Sequence, residues 1–281
     1  MHKKMKFNLT ISAVAILTLL ITGCSSSVEK ETKTKKTTKE VAKEVKVINK
    51  DEIDKVYVNP NEYKDSKIEL YGKVFQMKSN NGKTILQVWG DPKNSEKNTV
   101  IEIAKKDLNV KTEDIVHIVG TVKGELKGEN AFGGKVSALS VLASEVEKSD
   151  YATAFSPAIK TIEVNQNQQQ NNLFFEISKI EIAKEETRVF LKITNNTQET
   201  ASFYSFNSKL IQGSKQFDEK ENYEAKYPEV QSEILPGVTT EGIITFENVD
   251  MNNGNIKISL EGSNENYDLE FNPYVFDIAL Q

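Results

Sequence analysis

The chain has 281 residues, 38% of them apolar, and a formal net charge of −5. It holds one Cys, two His and one Arg, Arg188, which excludes a disulfide framework, a thiolate metal cluster and the Arg-rich basic face of most nucleic-acid binders. The charge is uneven: residues 25–50 carry eight Lys against four acids, 51–148 fifteen Lys against sixteen acids, and 165–281 eight Lys and one Arg against nineteen acids.

The chain begins with Lys3, Lys4 and Lys6, followed by an apolar run from Leu9 to Ile21. A basic start, an apolar run too short for a bilayer span and small residues at a cut site read as a secretory signal over residues 1–23. The phrase Leu20-Ile21-Thr22-Gly23-Cys24, followed by Ser25-Ser26-Ser27, resembles the lipobox of bacterial lipoproteins. That resemblance implies that Cys24 is lipidated, that it becomes the first mature residue, and that the rest lies on the extracytoplasmic face of the cell membrane. Two or more acyl chains suffice as an anchor, at about 0.8 kcal/mol per buried methylene. Residues 24–50 are Ser, Thr, Lys and Glu with little to bury, and read as a disordered tether.

Residues 51–148 carry five apolar, β-rich stretches: 67–77, 84–89, 98–104, 115–122 and 135–143. Strands of this length separated by turn residues, with Gly72 and Gly120 inside two of them, fit a small barrel whose strands bend. Tyr63-Lys64 leading to Tyr71-Gly72-Lys73-Val74, and Glu113-Asp114 leading to Val119-Gly120, resemble bacterial OB-fold domains related to anticodon-binding modules. The resemblance implies a ligand face for oligonucleotide or oligosaccharide. Trp89, with Gln87 on the same side of the strand, is the candidate platform, set against a packing role at the barrel rim. Near-neutral charge argues against nucleic acid as the partner.

Residues 149–172 contain Ser156-Pro157 and the run Asn165-Gln-Asn-Gln-Gln-Gln-Asn-Asn172, which reads as a flexible linker with a domain boundary near Asn165. A short stretch before it, 158–164, reads as a strand against either neighbour.

Residues 173–281 hold further strands at 173–183, 187–195, 201–212, 239–247, 255–261 and 268–271. Their alternation fits sheets with one wet face, and two such sheets make an immunoglobulin-type sandwich. Leu191-Lys-Ile-Thr-Asn, Phe203-Tyr-Ser-Phe and Ile234-Leu-Pro-Gly ahead of Gly242-Ile-Ile-Thr-Phe246 resemble the telokin-like immunoglobulin-type domain of many bacterial lipoproteins. That resemblance implies an exported binding or spacer module and supplies no catalytic residues.

The fold class expected is therefore all-β, an OB-like barrel followed by an immunoglobulin-like sandwich. His117 has no Cys or paired acids at ligand spacing and reads as a residue of a solvated strand face. The acidic loop from Asp218 to Glu224 lacks the spacing of a calcium loop and reads as solvated charge, with cation binding the alternative. Phe203, Tyr204 and Phe206 are a candidate platform for sugar or partner, against which alternation predicts that Phe203 and its i+2 neighbours mainly fill the sandwich. No catalytic residue, metal or cofactor is assigned. The expected task is non-catalytic binding of a protein or envelope component, with glycan or oligonucleotide binding by the barrel as the alternative.

Overall fold

The computed structural model describes residues 45–129 and 133–280. Cys24, the signal and most of the tether lie outside the described residues. The end of the tether is not free: Ile48 is buried, and the Lys46 carbonyl and Ile48 N–H pair with the two backbone groups of Lys67 at 2.8 and 2.9 Å. A short helix, α1 (Ile53–Val58), then sets Val56 into the barrel core.

The barrel consists of β1 (Lys67–Asn80), β2 (Lys83–Asp91), β3 (Glu96–Ile103), β4 (Ile115–Glu129) and β5 (Lys135–Ser149). It closes in the order β1-β2-β3-β5-β4, with β3 and β5 parallel and every other pair antiparallel. The alternation read from the sequence places Ile68, Leu70, Val74, Leu86, Val88, Ile101 and Ile118 inside. Gly72 faces inward, where a Cβ would stand 2.4 Å from Val88 Cγ2, so this bend tolerates no side chain.

After α2 (Tyr151–Ala154) come β6 (Lys160–Gln170), β7 (Leu173–Ile182), β8 (Glu186–Asn195), β9 (Ala201–Phe203), β10 (Lys209–Gln212), β11 (Lys215–Asp218), β12 (Glu233–Ile234), β13 (Thr239–Glu247), β14 (Ile256–Leu260), β15 (Gly262–Asn264) and β16 (Tyr274–Ile278). One sheet runs β13-β8-β7-β6. Opposite it lie β11-β10-β14-β16 and the short sheet β12-β9-β15. Their apolar faces share one core around Phe175, Ile177, Phe203, Phe246, Ile258 and Phe276, separate from that of the barrel. The chain is thus an all-β barrel followed by a sandwich.

Three expectations change. The polar run expected as a linker is most of β6, an edge strand of the sandwich. Gln166, Gln168 and Gln170 donate side-chain amides to the carbonyls of Asp277, Val275 and Asn272 on and beside β16. Gln168 and Gln170 also accept the N–H groups of Val275 and Asn272 at 3.2 and 2.9 Å. Side-chain amides carry the donor and acceptor of a peptide group, so they close the corner between two sheets without an apolar face. The stretch 201–212 is two strands interrupted by a 3₁₀ turn at Ser205–Asn207. The last strand is Tyr274–Ile278, and 268–271 is turn and coil.

Candidate functional site

On the outer face of the barrel, Trp89 stacks on Phe75, with ring centroids 4.2 Å apart and planes 16° apart. Both are half-buried, as is Gln87 two residues away. A bulge between Val74 and Gln76 falls at Phe75. Trp89 pairs with Lys73 on one side and Asn98 on the other, and the Asn98 Oδ1 is buried with no hydrogen-bond partner. The sequence reading named Trp89 and Gln87 but missed Phe75, which alternation from Val74 turns outward and the β1–β2 register sets beside Trp89.

His117 also lies on the outer face. Its Nε2 is 2.9 Å from Glu69 Oε1, and its ring lies 4.9 Å from that of Tyr71. It stands away from the Trp89 stack, at the β1–β4 pairing. Tyr57 of α1 donates or accepts a 2.8 Å bond with Thr99, and burial pushes its hydroxyl up to about 12.

Residues 219–232 join β11 to β12 without regular structure and strap the free edge of β13. Lys220 N–H reaches Thr245 O at 2.7 Å, Ile243 N–H reaches Pro228 O at 2.8 Å, and Gln231 N–H reaches Thr240 Oγ1 at 3.0 Å. An unpaired edge is a template for another strand, and the strap removes it. The same strap grips the barrel. Lys73 Nζ, on a residue only 8% exposed, lies 2.7 Å from Glu224 and 3.1 Å from Glu113, and Lys226 lies 3.1 Å from Glu113. Burial opposes the Lys73 charge, but the two carboxylates outweigh it and hold the ammonium above its usual range. Bonds from Lys73 and Lys226 hold the Glu113 carboxyl below its own. Lys93 and Glu185 add an exposed contact at 3.3 Å.

Behind the strap, Arg188 is 1% exposed. Its Nη1 reaches Glu186 at 2.7 Å and the Ser156 carbonyl at 2.8 Å, and its Nε reaches Glu181 at 3.0 Å. Nη2 sits 2.9 Å from Glu181 as an ion pair without hydrogen-bond alignment. Glu186 also accepts from Tyr227 at 2.6 Å and Asn222 at 2.9 Å. Burial works against its charge, yet these bonds keep its carboxyl below the usual range, while burial and Glu186 raise the Tyr227 hydroxyl. The one arginine thus bolts the strap and the 150–159 segment to the sandwich.

Of the acidic loop, Asp218 pairs with Lys209 at 3.2 Å and Glu224 with Lys73. Burial, then the charge of Glu221, raises the Glu219 carboxyl. Among the described residues no group of three His, Cys, Asp or Glu side chains is placed to hold a metal ion. At the strap's far end Phe203 is core, whereas Tyr204 and Phe206 stand outward with rings 5.5 Å apart.

No family model and no curated protein matches the chain. Among solved structures, a functionally unknown protein from Listeria monocytogenes EGD-e aligns with a TM-score of 0.34 at 9% identity, over 44% of this chain and 86% of its own. A likeness of that size carries no argument.

Proposed function

We propose that this chain is an extracytoplasmic lipoprotein, acylated at Cys24, that binds a protein or envelope component without catalysing chemistry. The observation that supports it is the outward aromatic pair Tyr204–Phe206, 46% and 64% exposed just beyond the end of β9. Exposed aromatic patches on a folded scaffold mark contact surfaces. The anchor rests on the Leu-Ile-Thr-Gly-Cys phrase. A labelled fatty acid fed to cells producing the wild-type chain and Cys24→Ala tests it: label and membrane retention in the first and loss of both in the second support the anchor, and equal labelling opposes it. Capture from envelope extract with the full chain tests binding, and retention of no component opposes it.

A second reading is favoured by the Phe75–Trp89 stack with the amides of Gln87 and Asn98 beside it, a layout suited to a sugar face or a base. Titration of the sole tryptophan's fluorescence with cell-wall oligosaccharides and with single-stranded oligonucleotides tests it. Saturable quenching by either supports this reading, and none opposes it.

A further inference from the structure

Tyr204 lines two adjoining clefts. One, of about 450 Å³, lies toward Glu261 and Leu269. The other, of about 660 Å³, lies toward Phe206, Glu229 and Glu233. The second runs on into a third of about 430 Å³, because Ser205, Glu229 and Val230 line both. Glu219, Glu221 and Tyr223 belong to that third cleft. The three form one trough along the strap and the end of the sandwich.

Five carboxylates border this trough, those of Glu219, Glu221, Glu229, Glu233 and Glu261. Its one lysine, Lys226, is committed to Glu113 of the barrel. None of the five ion-pairs among the described residues, although the acidic sandwich has lysines elsewhere that do. Aromatic faces attract cations through the ring quadrupole, and the aliphatic stems of Lys and Arg lie well along such rings. An aromatic floor with a carboxylate rim therefore suits long cationic side chains spaced along a backbone.

We propose that this trough docks a basic, Lys- or Arg-bearing segment of a partner protein. The proposal rests on the protein-binding reading above and names the partner's chemistry. A free metal ion fits less well, because no three ligating groups converge. The carboxylates supply steering and register, while Tyr204 and Phe206 supply the contact area.

The probe is a fluorescent octalysine peptide titrated into the detergent-solubilised full chain at low and physiological salt, with octaglutamate as the control. Saturable octalysine binding is expected. Glu229→Gln with Glu233→Gln should weaken it at least tenfold and flatten its salt dependence. Tyr204→Ala with Phe206→Ala, which leaves every charge in place, should also weaken it at least tenfold. Glu163→Gln with Glu176→Gln, the same charge change on β6 and β7, should leave it within twofold, and circular dichroism melts check that all three chains fold. The proposal is overturned if octalysine does not bind, if the aromatic pair is dispensable, or if the β6–β7 pair matters as much as the trough pair. An envelope component captured equally by wild type and by the Tyr204/Phe206 variant overturns this site and leaves the broader binding reading standing.

Discussion

Gln168 pairs with Val275 as a neighbouring strand would, its Oε1 accepting the Val275 N–H at 3.2 Å and its Nε2 donating to the Val275 carbonyl. Gln170 repeats the pattern on Asn272, two positions along β6 and three back along the chain, just ahead of β16. Each net hydrogen bond of this kind contributes about 0.5–1.5 kcal/mol. Gln168→Ala should cost about 1–2 kcal/mol in urea unfolding and speed amide exchange at Val275 and Asn272 ahead of the β7–β8 pairing. Unchanged exchange at Val275 would show that the side-chain seam does not hold β16.

Arg188 should tolerate no substitution well. Removing one partner of a buried ion cluster costs about 3–5 kcal/mol, because the remaining charges stay buried and unpaired. Arg188→Met leaves Glu186 without a counter-charge, with only the Tyr227 and Asn222 bonds, while Glu181 keeps Lys179 at 2.6 Å; Arg188→Lys restores the charge but not the fork that reaches both carboxylates and Ser156. The midpoint of urea unfolding measures it. A loss under about 1 kcal/mol for Arg188→Met would mean that Lys179, Tyr227 and Asn222 hold the two carboxylates without the guanidinium.

The Lys73–Glu113–Lys226 junction should depend on pH in a defined window. The Glu113 carboxyl is held low, so its contribution is present above the unfolded value of about 4.3 and is lost as acid titrates through the lower folded value. The Lys73 ammonium is held high, so its contribution is present below the unfolded value of about 10.4 and is lost as pH rises through the folded value. The junction is therefore strongest across the neutral range. Proteolysis of residues 149–159 reads its opening, slow at pH 7 and faster at pH 3 or in Lys73→Ala. Cleavage rates that ignore both changes would remove the junction as the fastening.

Gly242 should be irreplaceable beneath the strap. A Cβ there would stand 2.4 Å from Val230 N, 2.6 Å from Glu229 C and 2.8 Å from Pro228 O, all backbone atoms. Gly242→Ala must push the strap off β13, exposing the Ile243 N–H and raising exchange there. It should also weaken the Lys226–Glu113 contact, seen as faster cleavage within 149–159. A crystal structure of Gly242→Ala with the strap unmoved would contradict this account.

Phe75→Ala should uncover the face of Trp89 that the phenyl ring now covers. The expected readout is a red-shifted emission and stronger acrylamide quenching, with little loss of stability because both rings lie on the outer face.

The strands of the barrel and the core residues of the sandwich were legible because both follow a period of two. Ile68, Leu70 and Val74 recur at every second or fourth position, and Val189, Leu191 and Ile193 at every second. The glutamine strand was not legible. Its partners are backbone groups more than a hundred residues away, and composition alone makes Asn165–Asn172 look unable to bury anything. Arg188 showed as a count, one arginine in the chain, but its role needed the convergence of β7, β8 and the strap. Tyr204 and Phe206 were readable as aromatic, and with Phe203 in the core a period of two turns both outward; what the sequence did not show is the 3₁₀ turn at Ser205–Asn207 that carries Phe206. Trp89 was found for its rarity, and its partner Phe75 lay on another strand, brought beside it only by the β1–β2 register.

The two fastenings of the molecule answer to different agents. Neutral amides close β6 against β16, so neither protons nor dissolved salt loosen that seam. Opposite charges hold the barrel to the strap, and those weaken in acid and in brine. A shift in the surrounding medium would then loosen the barrel from the strap before it loosened the seam between the two sheets.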